Sequence, residues 1–171
     1  MKISYVPHAR EVIEDRVIWL NDRDVNRWFD DYQNGTTVEA QTAWFDKYVE
    51  DETRDFLTIL ADGQPIGVVG LTDIHLRNQQ AELFIMIGDA TYRGHGIGRQ
   101  AVEQIVEHAF DQLKLHRVSL HVSALNERAI RCYCAAGFQE EGRLRDDRFS
   151  DNRWQDTLIM ARLSTSSNRN V

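Results

Sequence analysis

Residues 81–112 place three alternate glycines between a short apolar run and an amphipathic stretch. The apolar run, residues 83–87, has the length of a buried strand, and the residues after the glycines recur at helical spacing. Gly94, Gly96 and Gly98 have no Cβ, so backbone amides between strand and helix can touch a ligand. Unpaired amides and the positive end of the dipole at a helix N-terminus favour phosphate. The stretch therefore predicts a pyrophosphate-binding turn.

Spacing excludes two common phosphate-binding loops. A Walker loop requires Gly-Lys-Ser/Thr, which this stretch lacks. A dinucleotide fingerprint requires its third glycine two residues after Ile97, where Arg99 stands. The remaining pattern, Arg-x-x-Gly-x-Gly after a strand, begins at Arg93. It resembles the acetyl-CoA-binding motif of the GNAT superfamily of N-acetyltransferases.

A second segment, residues 126–138, extends the resemblance. It reads NERAIRCYCAAGF and is similar to the family's second signature, in which a capping Asn contacts the cofactor and a helix Tyr lies beside the sulfur. The resemblance assigns these roles to Asn126 and Tyr133. It is strongest over residues 56–163 and looks most like the spermidine and ribosomal-protein (Rim-type) N-acetyltransferase branches. Cys134 departs from these branches, which usually carry a charged or polar residue there.

Periodicity and turn residues predict a mixed order of helices and strands, which is the order of the GNAT fold. The resemblance implies an α+β fold, a central, mostly antiparallel twisted sheet with a splayed parallel pair, flanked by helices. The cofactor's pantetheine arm is expected to enter between the splayed strands. In the first half of the chain, the predicted elements are a strand at 2–6, helices at 11–32 broken near Asn21 and Asp22, and a helix that runs from a capping box of Thr36 and Glu39 to about residue 52. Strands follow at 56–60, at 66–71 and from residue 81. The second half is predicted to contain a helix from residue 97, a strand at 117–122, a helix at 126–136, and a hairpin of strands 138–144 and 157–163 with its tip at 150–152.

Length and composition predict one N-acetyltransferase domain at residues 1–163, followed by a polar tail at residues 164–171. The apolar content of 42% and charged content of 27% are near globular averages. Charged residues interrupt the N-terminal 20 residues, which therefore read as neither a signal peptide nor a membrane span. Cys132 and Cys134 are two apart in one predicted helix, which disfavours a disulfide between them. These features predict a cytoplasmic protein without a membrane partner.

Charge is divided unevenly along the chain. Residues 1–92 hold 17 Asp and Glu against 8 Lys and Arg, a net −9, whereas residues 93–171 hold 10 against 12, a net +2. The second part suits a polyphosphate and the first a cation, although acidic helices that merely face solvent would give the same count. The acidity argues against a nucleic-acid partner. The six histidines form no metal-binding motif, so no metal is predicted.

Acyl transfer from a thioester to an amine requires a neutral amine, a stabilised oxyanion and a proton for the leaving thiolate. Tyr133 is the predicted acid, because the resemblance places its phenol beside the cofactor's sulfur. A phenol with a reference pKa of about 10 can protonate a thiolate with a reference pKa of about 8.5 when the two groups are held close. The alternative is a core tyrosine packed beside Ile130.

Glu82 is the predicted base. It stands alone in an apolar strand, and in the polyamine and ribosomal-protein branches a Glu at this place faces the acceptor amine. A carboxylate can bind an alkylammonium and take its proton, directly or through water. The alternative is a Glu at the solvent end of the strand. His121 is a second candidate for a polar contact near the acceptor, although a lone strand histidine is more often structural.

The remaining predicted site residues bind the cofactor. A main-chain amide within residues 85–87 is expected to hold the oxyanion. His95 and Ile97 act through their amides, Arg93 contacts a phosphate or braces the loop, and Arg99 reaches a phosphate. The full predicted cofactor-binding set is Ile85, Met86, Ile87, Arg93, Gly94, His95, Gly96, Ile97, Gly98, Arg99 and Asn126.

The leading hypothesis is an acetyl-CoA-dependent N-acetyltransferase that acts by direct attack in a ternary complex. The expected acceptor is a polyamine such as spermidine or a protein N-terminal amine. The alternatives are an amino-sugar N-acetyltransferase and a non-catalytic acyl-CoA-binding module. Residues 21–55 and 147–156 are expected to determine acceptor specificity. A homodimer or higher homo-oligomer is compatible with the resemblance.

Overall fold

A seven-stranded sheet forms the centre of the computed structural model, which describes residues 1–164. Its strand order is β1-β2-β3-β4-β5-β7-β6. All neighbours are antiparallel except β4 and β5, which are parallel. The strands are β1 Ile3–Pro7, β2 Asp55–Ala61, β3 Gln64–His75, β4 Gln80–Ile87, β5 Arg117–Ser123, β6 Gln139–Ser150 and β7 Arg153–Leu163. The predicted α+β fold with one parallel pair is confirmed.

Within residues 1–164, five α-helices cover the sheet. They are α1 Ile13–Asn21, α2 Arg23–Asn26, α3 Val38–Tyr48, α4 Ile97–Asp111 and α5 Glu127–Ala135. The predicted break near Asn21 and Asp22 is confirmed: the Asp22 carboxylate accepts a hydrogen bond from the Asp24 amide and caps α2. The predicted polar tail lies outside the described residues, apart from Ser164.

The two faces of the sheet carry separate cores. On the α4/α5 face, aliphatic side chains of α4 pack against alternate residues of β4 and β5, including Leu83 and Leu120. On the α1/α3 face, rings and aliphatic groups pack together, including Trp19, Phe56 and Met86. Consecutive residues of β4 therefore point to different cores, as Leu83 and Phe84 do.

The predicted capping box at Thr36 is wrong by one residue. The Thr36 amide donates to the Asn21 side chain and its carbonyl accepts from the same side chain, at 3.0 Å each. Its hydroxyl accepts from Gln41. With Thr36 tied to this turn, α3 begins later, and the Thr37 hydroxyl accepts from the Ala40 amide at 3.2 Å. The helix also ends earlier than predicted, at Tyr48.

The closing hairpin is longer than predicted because a bulge interrupts β6. Pairing with β7 shifts between Leu144 and Arg148, so side-chain alternation is lost there and the pattern reads as a strand end. The strands continue beyond the bulge to a tip at Asp151 and Asn152. Both tip residues have positive φ, 53° and 58°, as a two-residue hairpin turn requires.

Candidate active site

A gap opens between the two parallel strands. β4 and β5 pair only at Gln80, Ala81 and Glu82, opposite Arg117, Val118 and Ser119. Both strands then continue, β4 to Ile87 and β5 to Ser123, without further pairing. Main-chain groups on the β5 side of residues 83–87 consequently have no strand partner among the described residues. The splayed pair expected from the resemblance is present.

The glycine turn lies beyond the open end of β4. Gly94 and Gly96 have φ of 85° and 78°, a backbone conformation that residues with a side chain rarely adopt. A Cβ built on either would have no heavy atom within 4 Å. Gly96 is the N-cap of α4, and no side chain caps that end. The turn thus presents uncapped amides to open space, an arrangement that fits a diphosphate.

Arg93 braces this turn. Its Nε donates to the Ile87 carbonyl at 3.2 Å and its Nη2 to the Gly88 carbonyl at 2.7 Å. Only 11% of the side chain is exposed. Arg99 differs, because about half of its side chain is exposed and its hydrogen bond within residues 1–164 goes from Nε to Glu103, at 2.8 Å. Arg99 therefore has further N–H groups that can donate to a ligand, whereas Arg93 donates hydrogen bonds to main-chain carbonyls.

Asn126 and Tyr133 lie at the two ends of α5. The Asn126 side chain accepts from the Ala129 amide at 3.2 Å and caps the helix, as predicted. The Tyr133 ring packs against Phe138, with 6.0 Å between ring centroids. Its hydroxyl has no hydrogen-bond partner within residues 1–164. At its ordinary pKa of about 10 a phenol is protonated at neutral pH, and burial raises the pKa of Tyr133 further, so this residue carries a proton that it can donate to a group held close to it.

A cavity of about 460 Å³ joins the gap to the α1/α3 face of the sheet. Tyr133 lines it from α5, and the open part of β4 lines it from the sheet. Its opposite wall comes from α2, the following turn and the β6 bulge. The residues of that wall are Asp24, Val25, Trp28, Phe29, Asp30, Asp147 and Arg148. One space therefore connects the phenol with a wall rich in carboxylates and aromatic rings.

The three carboxylates of this wall differ in whether a described cation lies beside them. Asp30 accepts a hydrogen bond from Arg148 at 2.6 Å, and only 7% of the Arg148 side chain is exposed. Asp24 and Asp147 form no ion pair with any described residue. Asp147 belongs to the bulge, which breaks the register of β6. The sequence indicated these regions but not these residues, because the bulge and the packing of α2 decide which carboxylates reach the cavity.

Glu82 and His121 form a single pair. Glu82 Oε1 lies 2.9 Å from His121 Nδ1, across the point where the parallel pairing ends. Side-chain alternation directs both residues away from the α4/α5 core. About half of the His121 side chain is exposed, and this residue lines the cavity. The sequence predicted the two residues separately and gave no signal that they touch.

Several predicted cofactor residues are brought together. Ile85, Met86 and Ile87 line the cavity from β4, with Arg93, Gly98 and Asn126 nearby.

Cys132 and Cys134 are free thiols in α5, as predicted. No helix within residues 1–164 has the length and apolarity to cross a bilayer.

A splayed parallel pair, an uncapped glycine turn and a partly buried phenol define an acyl-CoA-dependent transferase. A family model described as "Acetyltransferase (GNAT) domain" matches residues 7–139. The chain belongs to this family, and it is an N-acetyltransferase that uses acetyl-CoA.

Individual relatives agree with this assignment. Spermidine N(1)-acetyltransferase of Vibrio cholerae is 31% identical over 143 residues, covering 82% of this chain and 80% of the relative. Probable N-acetyltransferase YjcK of Bacillus subtilis is 33% identical over 140 residues, with coverages of 79% and 76%. Among solved structures, spermidine N-acetyltransferase from Vibrio cholerae in complex with CoA and spermine superimposes with a TM-score of 0.88 at 25% identity, covering 94% and 95% of the two chains.

Proposed function

We propose that the enzyme transfers an acetyl group to a primary amine of a polyamine such as spermidine, by direct attack in a ternary complex. The observation that carries this proposal is the cavity that joins Tyr133 to the wall containing Asp24 and Asp147. A polyamine presents several ammonium groups along a flexible chain, and carboxylates without cation partners attract such groups. The names of the spermidine-acetylating relatives support the same acceptor class.

The residues that would hold acetyl-CoA follow from the geometry. Amides of the glycine turn would hold the diphosphate, with His95 and Ile97 contributing through their main chain and Arg99 through its side chain. Asn126 lines the cavity at the start of α5. When bound, acetyl-CoA supplies an acyl thioester that is reactive toward a neutral amine. An amide on the open part of β4, within residues 85–87, would stabilise the oxyanion.

The chain's own groups would handle the protons. The phenol of Tyr133, which is protonated at neutral pH, would give its proton to the leaving sulfur held close to it. The pair of Glu82 and His121 would take a proton from the acceptor ammonium. Trp28 and Phe29 of the cavity wall would exclude water and pack against the methylenes of the acceptor.

A protein N-terminal amine is the second candidate acceptor. Putative ribosomal N-acetyltransferase YdaF of Bacillus subtilis is 29% identical over 105 residues. A relative named aminoglycoside N(6')-acetyltransferase type 1, from Klebsiella pneumoniae, is 26% identical over 139 residues. Acceptors of all three kinds therefore belong in one activity screen.

The screen measures thiol release from acetyl-CoA with spermidine, spermine, peptides with free N-termini and an aminoglycoside. We expect the highest kcat/KM with a polyamine. The double variant Asp24→Asn/Asp147→Asn should raise the KM for spermidine about tenfold, because two attracting charges are lost, and leave the KM for acetyl-CoA unchanged. Asp73→Asn, a change of the same kind outside the cavity lining, is the control.

Other outcomes would contradict the proposal in distinct ways. A preference for peptides or the aminoglycoside would reassign the acceptor. Acetyl-CoA binding without thiol release to any amine would indicate a binding module. An unchanged KM for spermidine in the double variant would remove the two carboxylates from acceptor binding.

We also propose that residues 1–163 act as one domain within a cytoplasmic homo-oligomer. A dodecameric structure of spermidine N-acetyltransferase from Vibrio cholerae superimposes with a TM-score of 0.81 at 26% identity. The free thiols of Cys132 and Cys134 suit a reducing compartment. Light scattering after size-exclusion chromatography measures the assembly, and a monomeric mass would contradict the oligomer.

A further inference from the structure

The contact between Glu82 and His121 lies where β4 and β5 separate. Glu82 is opposite Ser119, in the last paired position, and His121 follows two residues later on the same face of β5. The distance from Oε1 to Nδ1 is 2.9 Å, a normal hydrogen-bond length. The pair therefore joins the two strands at the base of the gap.

The chemistry of the two groups determines the direction of this hydrogen bond. An ionised carboxylate can only accept, so the proton of the bond belongs to Nδ1 of His121. In the neutral imidazole, Nε2 then carries a lone pair and can accept a proton. The carboxylate thus selects the tautomer whose free nitrogen is basic.

The positions of the two residues relative to the cavity differ. His121 lines the cavity together with Tyr133 and the acidic wall, whereas Glu82 is absent from the lining formed by residues 1–164. An acceptor amine in the cavity would therefore meet the imidazole first. The carboxylate lies behind it and contacts it through Nδ1.

We propose that His121 is the general base of the reaction and that Glu82 is a positioning residue that acts through it, which rests on the proposed function. His121 Nε2 takes one proton from the acceptor ammonium, giving a neutral amine and an imidazolium. The amine nitrogen forms a bond to the carbonyl carbon as the carbon–sulfur bond breaks, and the leaving sulfur takes the Tyr133 proton. The amide nitrogen returns one proton to the phenolate, and the imidazolium releases its proton to solvent.

The tautomer is measurable without an acceptor. In protein with ¹⁵N-labelled histidine, assigned by comparison with His121→Asn, neutral His121 should show a protonated Nδ1 and an unprotonated Nε2. Glu82→Ala should shift the imidazole toward the opposite tautomer, which is the one that water favours. A protonated Nε2 in the neutral wild-type imidazole would overturn the proposal, because that nitrogen would have no lone pair to offer.

A double-mutant cycle with spermidine and acetyl-CoA separates the roles of the two residues. His121→Asn places an amide N–H near the position of Nδ1, so it can still donate to Glu82 but has no basic nitrogen. We expect it to lower kcat about 100-fold with the KM for acetyl-CoA unchanged. Glu82→Ala should lower kcat by a smaller factor. The double variant should be no slower than His121→Asn, because Glu82 has nothing left to position.

Two results would overturn this assignment. If Glu82 takes the proton itself, removing it will lower kcat by its full factor even in the His121→Asn background. If His121→Asn retains wild-type kcat, the imidazole is not the base. His75→Asn, at the exposed C-terminal end of β3, controls for the loss of a histidine and should keep wild-type kcat.

Failure of the polyamine proposal has a different signature. It would appear as wild-type enzyme that does not acetylate spermidine, before any variant is made. The cycle would then use the best acceptor of the amine screen, and the tautomer would still decide whether His121 can act as a base.

Discussion

The two faces of the sheet differ in the residues that form their cores and in the parts of the chain that supply their proposed binding groups. The α4/α5 face is built from aliphatic residues of one regular amphipathic helix and the strands beneath it. The binding elements proposed for it are main-chain amides from one continuous stretch around Gly94 and Gly96. The α1/α3 face is aromatic, covered by short helices, and its cavity wall comes from α2 and the distant β6 bulge. A phosphate can be held by backbone alone, whereas recognition of an amine requires side chains from separate segments.

The α1/α3 core also contains buried polar groups. Arg16 is 2% exposed, lies 4.1 Å from the centroid of the Trp44 ring, and donates to Gln41 at 2.6 Å. His8 is 6% exposed, bonds Thr58 through Nδ1 at 3.0 Å, and contacts surrounding rings. Burying such groups costs free energy unless they are satisfied. We therefore expect the two faces to respond differently to substitution and to pH.

The largest effect is expected on the glycine turn. Gly96→Asp places a negative charge beside the predicted diphosphate, at a distance where repulsion amounts to roughly 4 kcal/mol near a protein surface. Acetyl-CoA affinity should fall about 1000-fold by calorimetry. Gly63→Asp is a matched control, because Gly63 also has a positive φ, 84°, and open space around its Cβ position. Equal affinities for wild type and Gly96→Asp would show that the diphosphate binds elsewhere.

Removal of the phenol should act on turnover alone. Tyr133→Phe is expected to lower kcat about 100-fold, because the leaving sulfur loses its proton donor, with acetyl-CoA affinity nearly unchanged. Tyr5→Phe removes a hydroxyl from β1 that is buried and has no hydrogen-bond partner within residues 1–164, and kcat should not change. Full activity of Tyr133→Phe with an identified acceptor would exclude this phenol from the mechanism.

The α1/α3 face should lose stability in acid. Burial, with a further contribution from the Arg16 charge, lowers the pKa of His8 from 6.5 to about 4. Between these two pKa values, His8 is protonated in the unfolded chain but neutral in the folded chain, so the free energy of unfolding decreases as the pH falls. The contribution of His8 to this loss should be about 2 kcal/mol between pH 7 and pH 5.

Urea unfolding of His8→Gln tests this contribution. The variant should lose less stability than wild type over the same pH range, whereas His75→Gln, at an exposed histidine, should behave like wild type. An identical pH dependence in His8→Gln and wild type would show that His8 is not the group that titrates.

The smallest effects should distinguish the two arginines of the glycine turn. Arg93→Gln removes two bonds to carbonyls, so thermal stability should fall by a few degrees and acetyl-CoA affinity should weaken about fivefold. Arg99→Gln should weaken the affinity for acetyl-CoA by a similar factor, without a change in thermal stability. This factor should become smaller at high salt concentration. The opposite assignment of these two patterns would identify Arg93 as the phosphate partner.

Much of the α4/α5 face was predictable because its information is local. The glycine spacing indicated the turn, periodicity indicated α4, and Asn126 indicated the start of α5. Each of these signals depends on neighbours within a few residues along the chain. The splay between β4 and β5 came only from the family resemblance, since no periodicity encodes the separation of two strands.

The α1/α3 face was less predictable because its contacts span the chain. The Thr36 prediction was wrong because Asn21, 15 residues earlier, binds that threonine's backbone. The hairpin was predicted too short because the bulge hides the alternation of β6. The sequence left the role of Arg93 open, and only the folded chain shows that the Ile87 and Gly88 carbonyls lie within reach of its donors.

The sequence by itself determined the family and the cofactor, and it predicted a phosphate-binding turn, because a backbone cradle needs only the right glycines beside a helix N-terminus. Only the tertiary structure decided which side chains share the cavity. Glu82 and His121 are 39 residues apart, and they meet because two parallel strands pair for three residues and then separate. A hydrogen bond of 2.9 Å across that point depends on strand register, which the order of residues along one segment does not specify.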